Sequence, residues 1–435
     1  MSIHLKKAVK SPKTEEENTR KIVKGIIEDI RERGETAVRE LAAKFDHWDQ
    51  DFILGDEEKE KLIATIPQQI KDDIAFAYEQ TYGFAVKQRE SMREFETELY
   101  PGVTLGQRLV PCQCAGCYIP GGRFAHAASA IMSVATAKAA GVSFVVACSP
   151  PRGDSINPAV AYALTLAKAD AILALGGVQA IATMAFGLFT GKTADIIVGP
   201  GNAFVAEAKR MLFGEIGIDV FAGPTESMVI ADKTADPMIV AVDLVSQAEH
   251  GYDSPVWLVT DSRQLGEKII EIMPKVIDDL PNPDVARASW HDYGEVILCR
   301  DRKEMAEVND DYAAEHVQVI AADLDWYLQN LQNYGSLFLG EECTVAYGDK
   351  TSGTNHILPT KKAGRYSGGL NVGKFIKTLT YQKLTRNANR KIGAVASRIS
   401  RVEGMEGHAR SADIRLRKYF PDEEFDFEVY RQKKY

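Results

Sequence analysis

Hydrophobic positions in the N-terminal region recur at helical spacing. Residues 15–46 are predicted to be helical, and their first apolar stripe consists of Ile22, Val23, Ile26, Ile27 and Ile30. Gly34 interrupts the stripe, and a second helix is predicted from Glu35 onward. Residues 56–95 are predicted to continue as a charged amphipathic helix. No chemistry is indicated in this opening region, which we interpret as scaffold.

From about residue 115, short apolar runs alternate with helical stretches. The predicted strands are Gly116–Ile119, Ser143–Cys148, Ala171–Leu175 and Asp195–Val198. The predicted helices between them are Ala127–Ala140, Pro158–Ala167 and Val178–Phe186. Continuous apolar strands separated by helices indicate a parallel sheet that is covered on both faces.

Three of these strands end in glycine-rich turns, which are Gly121-Gly122, Gly176-Gly177 and Gly199-Pro200-Gly201. In parallel sheets ligands bind at the carboxyl ends of the strands. Glycine lets a ligand approach the backbone, and the next helix offers free N–H groups to an anion. None of the turns has the G-x-G-x-x-G pattern. The glycines therefore leave two interpretations open, a dinucleotide pyrophosphate site or ordinary strand–helix turns.

A second alternating region begins at about residue 226. Its predicted strands are Ser227–Ala231, Pro255–Val259, Glu295–Cys299, Val317–Ile320 and Ser336–Leu339. This pattern predicts a second α/β layer. The first layer is either inserted in the second or adjoins it. From residue 366 the chain is predicted to be helical again, through Val372–Lys383 and then Arg386–Ser400, before a charged tail.

Composition narrows the class of protein. A chain of 435 residues predicts two or three domains, and 45% hydrophobic with 26% charged residues is ordinary for a soluble globular protein. A net charge of -9 and the lack of a basic run give no indication of a nucleic-acid partner. No run approaches the roughly 20 apolar residues that span a bilayer, and the N-terminus lacks a signal-peptide core. We therefore expect a cytoplasmic protein with no membrane partner.

Three of the six cysteines lie close together in VPCQCAGCYIP, at Cys112, Cys114 and Cys117. Such a cluster raises the possibility of a metal site, but the segment has the pattern of a strand that enters a turn. Alternation along a strand would place the thiols on both faces. We favour buried strand residues with reduced thiols, as is typical of a cytosolic protein.

The segment DPMIVAVDLVSQAEHG predicts a helix with polar residues at its end. Asp236 is a good N-cap, Pro237 suits the first helical position, and Gly251 is a predicted stop. Gln247 and His250 are three residues apart and therefore share a face. A histidine at a helix C-terminus also complements the helix dipole, so capping and metal ligation are both open.

Three further segments hold candidate chemistry. Glu315 and His316 directly precede a predicted strand, where an acid and an imidazole suit an acid/base pair. The long polar loop YGDKTSGTNHILPT contains Asp349, Gly353, Asn355, His356 and Pro359. Near a predicted helix start, VEGMEGHARSADIRL contains Glu403, Glu406 and His408. Each segment is equally compatible with solvated or structural roles.

Taken together, the chain resembles the histidinol dehydrogenase family from about residue 20 to 418. The matching segments, in order, are ERGETAVRELAAKFD, CYIPGGRFAHAASAIMSVATAKAAGV, ALGGVQAIATMAFG, DIIVGPGNAFVAEAKRMLFGEIGIDVFAGPTE, LVSQAEH, AAEHVQVI, SGTNHILPT and EGMEGHARSADIRL. Chance does not produce so many specific segments in the same order.

The resemblance implies zinc, NAD and a homodimer. The implied zinc ligands are Gln247, His250, Asp349 and His408. Two imidazoles and two oxygen donors suit this metal. In the family the last histidine comes from the partner subunit, which implies an intertwined homodimer with a shared site. The residues that match NAD-contacting positions are Tyr118, Gln179 and Asn202. They lie at the three glycine-rich strand ends.

The mechanism implied by the resemblance is a double oxidation of a primary alcohol. His316 acts as the base on the hydroxyl group while hydride passes to NAD. The aldehyde stays bound, Glu315 activates a water molecule, and a second NAD accepts hydride from the hydrate. The metal positions the substrate and polarises its oxygen.

The expected fold is α/β, with two Rossmann-like parallel-sheet domains, one inserted in the other, and helical N- and C-terminal extensions. The expected division is an N-terminal helical extension over 1–30, a first α/β domain with most of the catalytic site over 31–116 and 224–365, an NAD-binding domain over 117–223, and a C-terminal helical domain that reaches the partner subunit over 366–435.

The chain departs from histidinol-oxidising members in three places. Prolines and paired serines usually follow P-G-G, but here the segment is RFAHAAS, from residue 123 to 129. Thr225 replaces the serine of A-G-P-S-E, and GRYSGGLNVGKFIKTLTYQKL replaces the usual downstream segment. These variants resemble the branch that acts on 2,3-dihydroxypropane-1-sulfonate. The expected reaction is therefore oxidation of the (R)-diol to sulfolactate.

A sulfonate is a permanent anion that binds cationic or N–H donors. Arg123 and His126, beside the P-G-G turn, are candidates for this role, although Arg123 is also compatible with cofactor phosphates or a solvated loop. The remaining expected substrate contacts are Thr225, Gln247, His250, His316, Asp349, Glu403 and His408.

Other functions stay open. Glu403 matches the position that binds the polar end of histidinol, so histidinol is an alternative substrate, as is another polyol or amino alcohol. A non-catalytic nucleotide-binding module is the lesser alternative. Such a protein would be expected to have lost some of the zinc-binding and acid/base residues, which are all present here.

Overall fold

The computed structural model describes residues 2–10, 16–121, 125–220 and 223–427. By compactness the chain divides into two units. The first consists of Met1–Glu90 and Pro111–Phe375, and the second of Ser91–Val110 and Ile376–Tyr435.

The described residues form helices and strands along most of the chain. The helices are α1 (Glu16–Arg33), α2 (Glu35–Phe45), α3 (Asp56–Ala64), α4 (Gln68–Ser91), α5 (Ala127–Ala140), α6 (Pro158–Leu166), α7 (Gly177–Phe186), α8 (Ala203–Leu212), α9 (Pro237–Ala248), α10 (Arg263–Asp278), α11 (Asp284–Tyr293), α12 (Arg302–Tyr312), α13 (Leu324–Asn330), α14 (Val345–Lys350), α15 (Arg386–Val402) and α16 (Glu406–Tyr419). Short 3₁₀ helices occupy Ala363–Arg365 and Val372–Phe375.

The strands are β1 (Ile3–Lys6), β2 (Phe95–Tyr100), β3 (Val103–Pro111), β4 (Cys114–Tyr118), β5 (Phe144–Ser149), β6 (Ala171–Ala174), β7 (Ile196–Val198), β8 (Gly217–Ile218), β9 (Ser227–Ala231), β10 (Val256–Thr260), β11 (Glu295–Leu298), β12 (His316–Ile320), β13 (Ser336–Leu339) and β14 (Ile376–Leu384).

A five-stranded parallel sheet in the first unit has the order β6-β5-β4-β7-β8. The order reverses on either side of β4, so the carboxyl ends of β4 and β7 flank a topological switch point, where ligands bind in such sheets. Helix α5 packs here and is buried along most of its length, because its small and apolar residues allow close contact. It ends at Gly141, whose φ of 92° favours glycine.

A six-stranded sheet in the same unit has the order β1-β11-β10-β9-β12-β13. Strands β9 to β13 are parallel, and β1 pairs with β11 antiparallel at the edge. Side chains alternate between two cores. Val229 faces α9, α10 and α11 beside Leu244, whereas Met228 faces α12 and α13 beside Met305. The predicted α/β fold with parallel sheets is thus confirmed.

The second unit combines a small sheet with two helices. Its strands have the order β14-β3-β2, and β2 pairs antiparallel with β3. Helices α15 and α16 are joined by Arg401 and Ser397, which both donate to Asp413. Leu416 lies in the small apolar core of this unit.

The predicted helix over Val372–Lys383 is wrong, because β14 occupies most of that segment. Thr and Tyr favour strands, and the Tyr381 ring packs against Gly106 of β3, where a Cβ would clash with it. The Tyr381 hydroxyl also donates to Glu96 at 2.7 Å. Residues 376–384 form a strand because they pair with β3, some 270 residues earlier in the chain. The local pattern of apolar residues cannot indicate such a distant pairing.

The chain termini are helical as predicted, over α1 and over α15 with α16, but each also contributes a strand. Strand β1 precedes α1 within the segment that was expected to be only helical, and β14 precedes α15. The four-domain division given above stays a prediction.

The predicted burial of the cysteine cluster is confirmed. Cys112, Cys114 and Cys117 are buried free thiols, the last two within β4. Burial raises the pKa of Cys114 to about 11, so this thiol stays protonated at neutral pH. Within the described ranges, no helix has both the length and the apolarity needed to cross a membrane.

Candidate active site

The predicted acid/base pair lies at the amino end of β12, in the first unit. His316 is the first residue of β12, and its backbone N–H donates to the carbonyl of Glu226 at 3.1 Å. The carboxylate of Glu315 accepts from the backbone N–H of Glu226 at 3.1 Å. Both side chains are buried, and Nδ1 of His316 lies 3.7 Å from Oε2 of Glu315.

Burial gives this pair shifted pKa values. Burial raises the pKa of Glu315 to about 8, against the opposing charge of His316. Burial would lower the pKa of His316, but the charges of Glu315 and Asp349 outweigh it, and the pKa is raised. The pKa of Glu315 therefore lies near the range where proton transfer at neutral pH is efficient, and the pKa of His316 is shifted upward by its two carboxylate neighbours.

Asp349 lies on α14 and faces the other side of the His316 ring. Its Oδ1 is 3.5 Å from Nε2 of His316, which is an electrostatic contact rather than a good hydrogen bond. Burial would raise the pKa of the Asp349 carboxyl, but His316, His356 and His250 lower it to about 2. The structure therefore brings Asp349, His316 and His250 within electrostatic reach of one another.

Gln247 and His250 lie at the C-terminal end of α9, as predicted. Asp236 caps the start of this helix by accepting from the N–H groups of Met238 and Ile239. The helix ends at Ala248 rather than next to Gly251, so His250 is in the turn that follows and is exposed.

Gln247 is buried, but its amide group lacks good hydrogen-bond partners. Its Nε2 makes only a long contact of 3.4 Å to Ser246, and within the described part of the chain its Oε1 has no hydrogen-bond partner. Both ring nitrogens of His316 are also without hydrogen-bond partners there. Buried polar atoms are nearly always satisfied.

The donor set fits a divalent metal ion. An unpartnered buried amide oxygen, a carboxylate and an imidazole at one edge of a sheet are the ligand types that zinc binds. Among the described residues, no three His, Cys, Asp or Glu side chains converge as metal ligands. Of the predicted ligands in the first unit, however, only His250 and Asp349 belong to those residue types.

The loop after α14 is held against α5. Nδ1 of His356 donates to the carbonyl oxygen of Asp349 at 2.9 Å, and Nε2 of the neutral ring accepts from the Ser129 hydroxyl at 2.8 Å. The Asn355 amide donates to the carbonyl of Met132 at 3.0 Å. These contacts make His356 a structural residue that fixes the segment beyond Asp349.

The residues predicted to bind the substrate's anionic end are only partly described. Arg123 lies outside the described residues. His126 precedes α5 and is half-buried, and burial together with the charges of His356 and Lys350 lowers its pKa to about 4. At neutral pH its imidazole is therefore uncharged and offers an N–H group rather than a cation.

Thr225 is half-exposed and adjoins Glu226, a residue that sequence reasoning missed. Both carboxylate oxygens of Glu226 accept from the backbone N–H of Lys361, at 3.0 and 3.1 Å. Burial raises the pKa of Glu226 to about 7. Its place in AGPTE beside Thr225 was the available signal.

The predicted cofactor residues lie at the carboxyl edge of the five-stranded sheet. Tyr118 ends β4, and its hydroxyl accepts from the backbone N–H of Gly177 at 3.2 Å. The Gln179 amide donates to Asp46 at 3.0 Å, a second residue that the sequence reading missed. Asn202 is exposed and caps α8 by accepting from the N–H groups of the next turn.

A buried ion pair holds the turn before Asn202. Gly199 has a φ of 121°, and a Cβ there would clash with the carbonyl oxygen of Tyr118. Its carbonyl accepts from Lys209 Nζ at 2.8 Å, and its N–H donates to Asp219 at 2.7 Å. Lys209 and Asp219 pair at 2.5 Å with almost no exposure. The Lys209–Asp219 pair therefore fixes the backbone of this turn without any bound ligand.

His408 and Glu403 belong to the second unit. His408 lies in the first turn of α16 and Glu403 is the C-cap of α15, and both are exposed.

Comparison with known proteins identifies the family of this chain. The family model described as histidinol dehydrogenase matches residues 9–416. The chain belongs to the histidinol dehydrogenase family. The family resemblance drawn from the sequence is thereby confirmed, and with it an oxidoreductase of the dehydrogenase type.

Individual members of the histidinol dehydrogenase family are similar over nearly the whole chain. A sulfopropanediol 3-dehydrogenase of Ruegeria pomeroyi is 55% identical, covering 97% of this chain and 98% of that protein. A histidinol dehydrogenase homolog of Pelagibacter ubique is also 55% identical, covering 96% and 98%. The crystal structure of histidinol dehydrogenase from Elizabethkingia anophelis superposes with a TM-score of 0.89 at 31% identity, covering 94% and 95%.

Proposed function

We propose that this protein is a zinc-dependent, NAD-linked dehydrogenase that oxidises (R)-2,3-dihydroxypropane-1-sulfonate through the aldehyde to sulfolactate. One observation carries the choice of substrate. Identity is 55% to a sulfopropanediol 3-dehydrogenase but 36–39% to three bacterial histidinol dehydrogenases, each over more than nine-tenths of the chain.

His316 and Glu315 have separate roles in this proposal. In the first oxidation His316 accepts the proton of the substrate hydroxyl, and the raised pKa of its imidazole strengthens it as a base. In the second, Glu315 accepts a proton from the water that adds to the aldehyde carbon. Because both side chains are buried, an aldehyde bound against them would be shielded from bulk water between the two steps.

Gln247, His250, Asp349 and His408 would hold the zinc, and Tyr118, Gln179 and Asn202 would contact NAD. Zinc supplies a Lewis acid that polarises the substrate oxygen, and NAD supplies the acceptor for one hydride in each oxidation. His408 would come from the partner subunit of a homodimer. The unpartnered Oε1 of Gln247 supports the metal assignment.

Recognition of the sulfonate is assigned to Arg123 and His126. A neutral His126 acts as an N–H donor, so the positive charge has to come from Arg123. Thr225 would contact the diol, and Glu403 would lie near the substrate's other end. Replacement of Arg123 by alanine is expected to raise the KM for the sulfonate, and an unchanged KM would refute this anion site.

Histidinol oxidation is the second candidate, because Glu403 is present at the position that binds the polar end of histidinol in the family. The test follows NADH formation by zinc-loaded protein with racemic 2,3-dihydroxypropane-1-sulfonate or L-histidinol at equal concentration. We expect the sulfonate to be consumed with about two NADH per molecule, as a double oxidation requires. Turnover of histidinol alone would contradict the substrate assignment, and absence of both turnover and zinc would favour a non-catalytic nucleotide-binding module.

A further inference from the structure

The carboxylate of Asp243 links α9, β12 and α14, the three elements of the first unit that carry Gln247, His316 and Asp349. Asp243 lies on α9, one helical turn before Gln247 and on the same face. Its Oδ2 accepts from Nε2 of Gln318 at 2.7 Å, and its Oδ1 accepts from Oγ1 of Thr344 at 2.9 Å. Gln318 belongs to β12, and Thr344 immediately precedes α14.

Gln318 ties Asp243 to the strand of the catalytic histidine. It is two residues beyond His316, and side chains two apart in a strand project to the same face. Gln318 is fully buried, and its Nε2 also donates to the carbonyl of Cys343 at 2.9 Å. These two acceptors fix the orientation of its amide, with the N–H₂ group toward Asp243.

Thr344 ties Asp243 to the helix of Asp349. Thr344 is the N-cap residue of α14, a position where threonine normally accepts a hydrogen bond from its own helix. Its side chain makes no such cap bond and instead donates to Asp243. Asp349 follows five residues later, so the start of this short helix is anchored to α9 rather than capped locally.

We propose that Asp243 is a positioning residue that sets the mutual geometry of Gln247, His316 and Asp349, and thereby the affinity of the site for zinc. This inference rests on the proposed function. Both oxygens of the carboxylate receive donors, and its charge strengthens both hydrogen bonds. An asparagine of the same shape would still accept from Gln318, but its N–H₂ group would face Thr344, whose hydroxyl would have to accept rather than donate. The substitution therefore replaces two charge-assisted bonds between α9, β12 and α14 by weaker neutral ones.

The chain offers a matched control at the other edge of the same sheet. Asp232 is also half-buried, and its carboxylate accepts from the N–H of Ala322 at 2.9 Å and from the N–H and hydroxyl of Thr234. It follows the carboxyl end of β9, away from the amino end of β12 where His316 lies. Asp232→Asn therefore removes a comparable set of hydrogen bonds from the same domain without touching the site.

The experiment measures the zinc dissociation constant of the full-length protein by competition with a chromogenic chelator, for wild type, Asp243→Asn, Thr344→Val and Asp232→Asn. We expect Asp243→Asn to bind zinc about 10–100-fold more weakly. Thr344→Val, a milder change that keeps the Gln318 bond, should show a smaller loss of the same sign. Asp232→Asn should lose thermal stability but keep the wild-type constant.

The outcomes separate this inference from the proposed function. Equal zinc affinity in wild type and in both site-linked variants would overturn the role of Asp243 and leave the zinc site standing. Equal weakening by Asp232→Asn would show a merely structural effect and would also overturn it. Failure of the wild type itself to bind zinc would refute the proposed metal site, and the inference with it. The readout does not depend on the activity of the zinc-loaded enzyme.

Discussion

The carboxyl edge of the five-stranded sheet and the amino edge of the six-stranded sheet satisfy their polar groups in opposite ways. At the first edge, Tyr118, Gln179 and Gly199 each have a partner from the protein. At the second, the buried Oε1 of Gln247 and both ring nitrogens of His316 have no hydrogen-bond partner among the described residues. Because buried polar atoms are costly when unpaired, the comparison indicates one preformed surface and one site that a ligand completes.

The two edges also differ in their relation to the strands. The proposed cofactor residues Tyr118, Gln179 and Asn202 lie where ligands generally bind in such sheets, at carboxyl ends beside a switch point. His316 instead begins β12 and Glu315 directly precedes it, and α9 runs back so that its C-terminal end reaches the same edge. The two proposed sites thus lie at opposite ends of the strands of their sheets.

The largest expected effect comes from removing the base at the ligand-dependent edge. His316→Asn should lower kcat by about 10²–10⁴, because the substrate hydroxyl loses its proton acceptor. Steady-state NADH formation measures this. The matched control is His291→Asn, which changes an exposed histidine on α11 and should leave kcat unaltered. A kcat within threefold of wild type for His316→Asn would contradict the assigned role.

A second prediction separates the two bases by pH. Glu315 acts as a base only when deprotonated, and burial raises its pKa to about 8. Oxidation of the added aldehyde should therefore increase as pH rises through about 8, and Glu315→Gln should abolish both the rate and this dependence. Measurement of the aldehyde reaction between pH 6 and 10 checks it. A wild-type profile that is flat across pH 8 would argue against Glu315 as this base.

A third prediction concerns the preformed edge. Lys209→Met leaves Asp219 charged and buried, and should destabilise the protein by about 3–5 kcal/mol in urea unfolding. Replacing both, as Lys209→Met with Asp219→Leu, should recover most of that stability. The KM for NAD should nevertheless stay raised in the double variant, because the N–H and carbonyl of Gly199 lose their partners. A double variant with wild-type KM would mean that the pair serves stability alone.

The smallest expected effect is at Asp46. Asp46→Asn should raise the KM for NAD several-fold with little change in kcat, because Gln179 loses a charged acceptor that is worth about 1.5–3 kcal/mol at most. Asp51→Asn, at an exposed residue close by in sequence, is the control. An equal change in kcat and KM would place Asp46 outside cofactor binding.

Local patterns in the sequence predicted most of the sheet-forming strands and the caps of the helices that position the site. Helix α5, strand β9 and strand β13 have the predicted bounds, and Asp236 caps α9 as expected, because each depends on neighbouring residues. Strand β14 and the hairpin of β2 with β3 were not predicted. The pairing of β14 with β3 joins segments far apart in the sequence, which one local pattern does not show, whereas the hairpin is a local pairing that the sequence reading missed.

The residues of the candidate site likewise fall into two groups, those that the sequence indicated and those that only the fold shows. Family resemblance supplied the proposed ligands and the proposed acid/base pair, but not the residues that hold them. Asp243 meets partners 75 and 101 residues away, and Gln179 meets Asp46 across 133 residues. A polar residue whose partner is fixed only by the fold has no signature in one sequence.

The central claim is that the amino edge of the six-stranded sheet is a zinc site. Anomalous diffraction at the zinc absorption edge, from crystals of the zinc-loaded full-length protein, tests it most directly. We predict a peak about 2.0–2.2 Å from the donor atoms of Gln247, His250 and Asp349, with His408 completing the set. A zinc-loaded crystal with no peak at these side chains, or with its peak at other residues, would contradict the account.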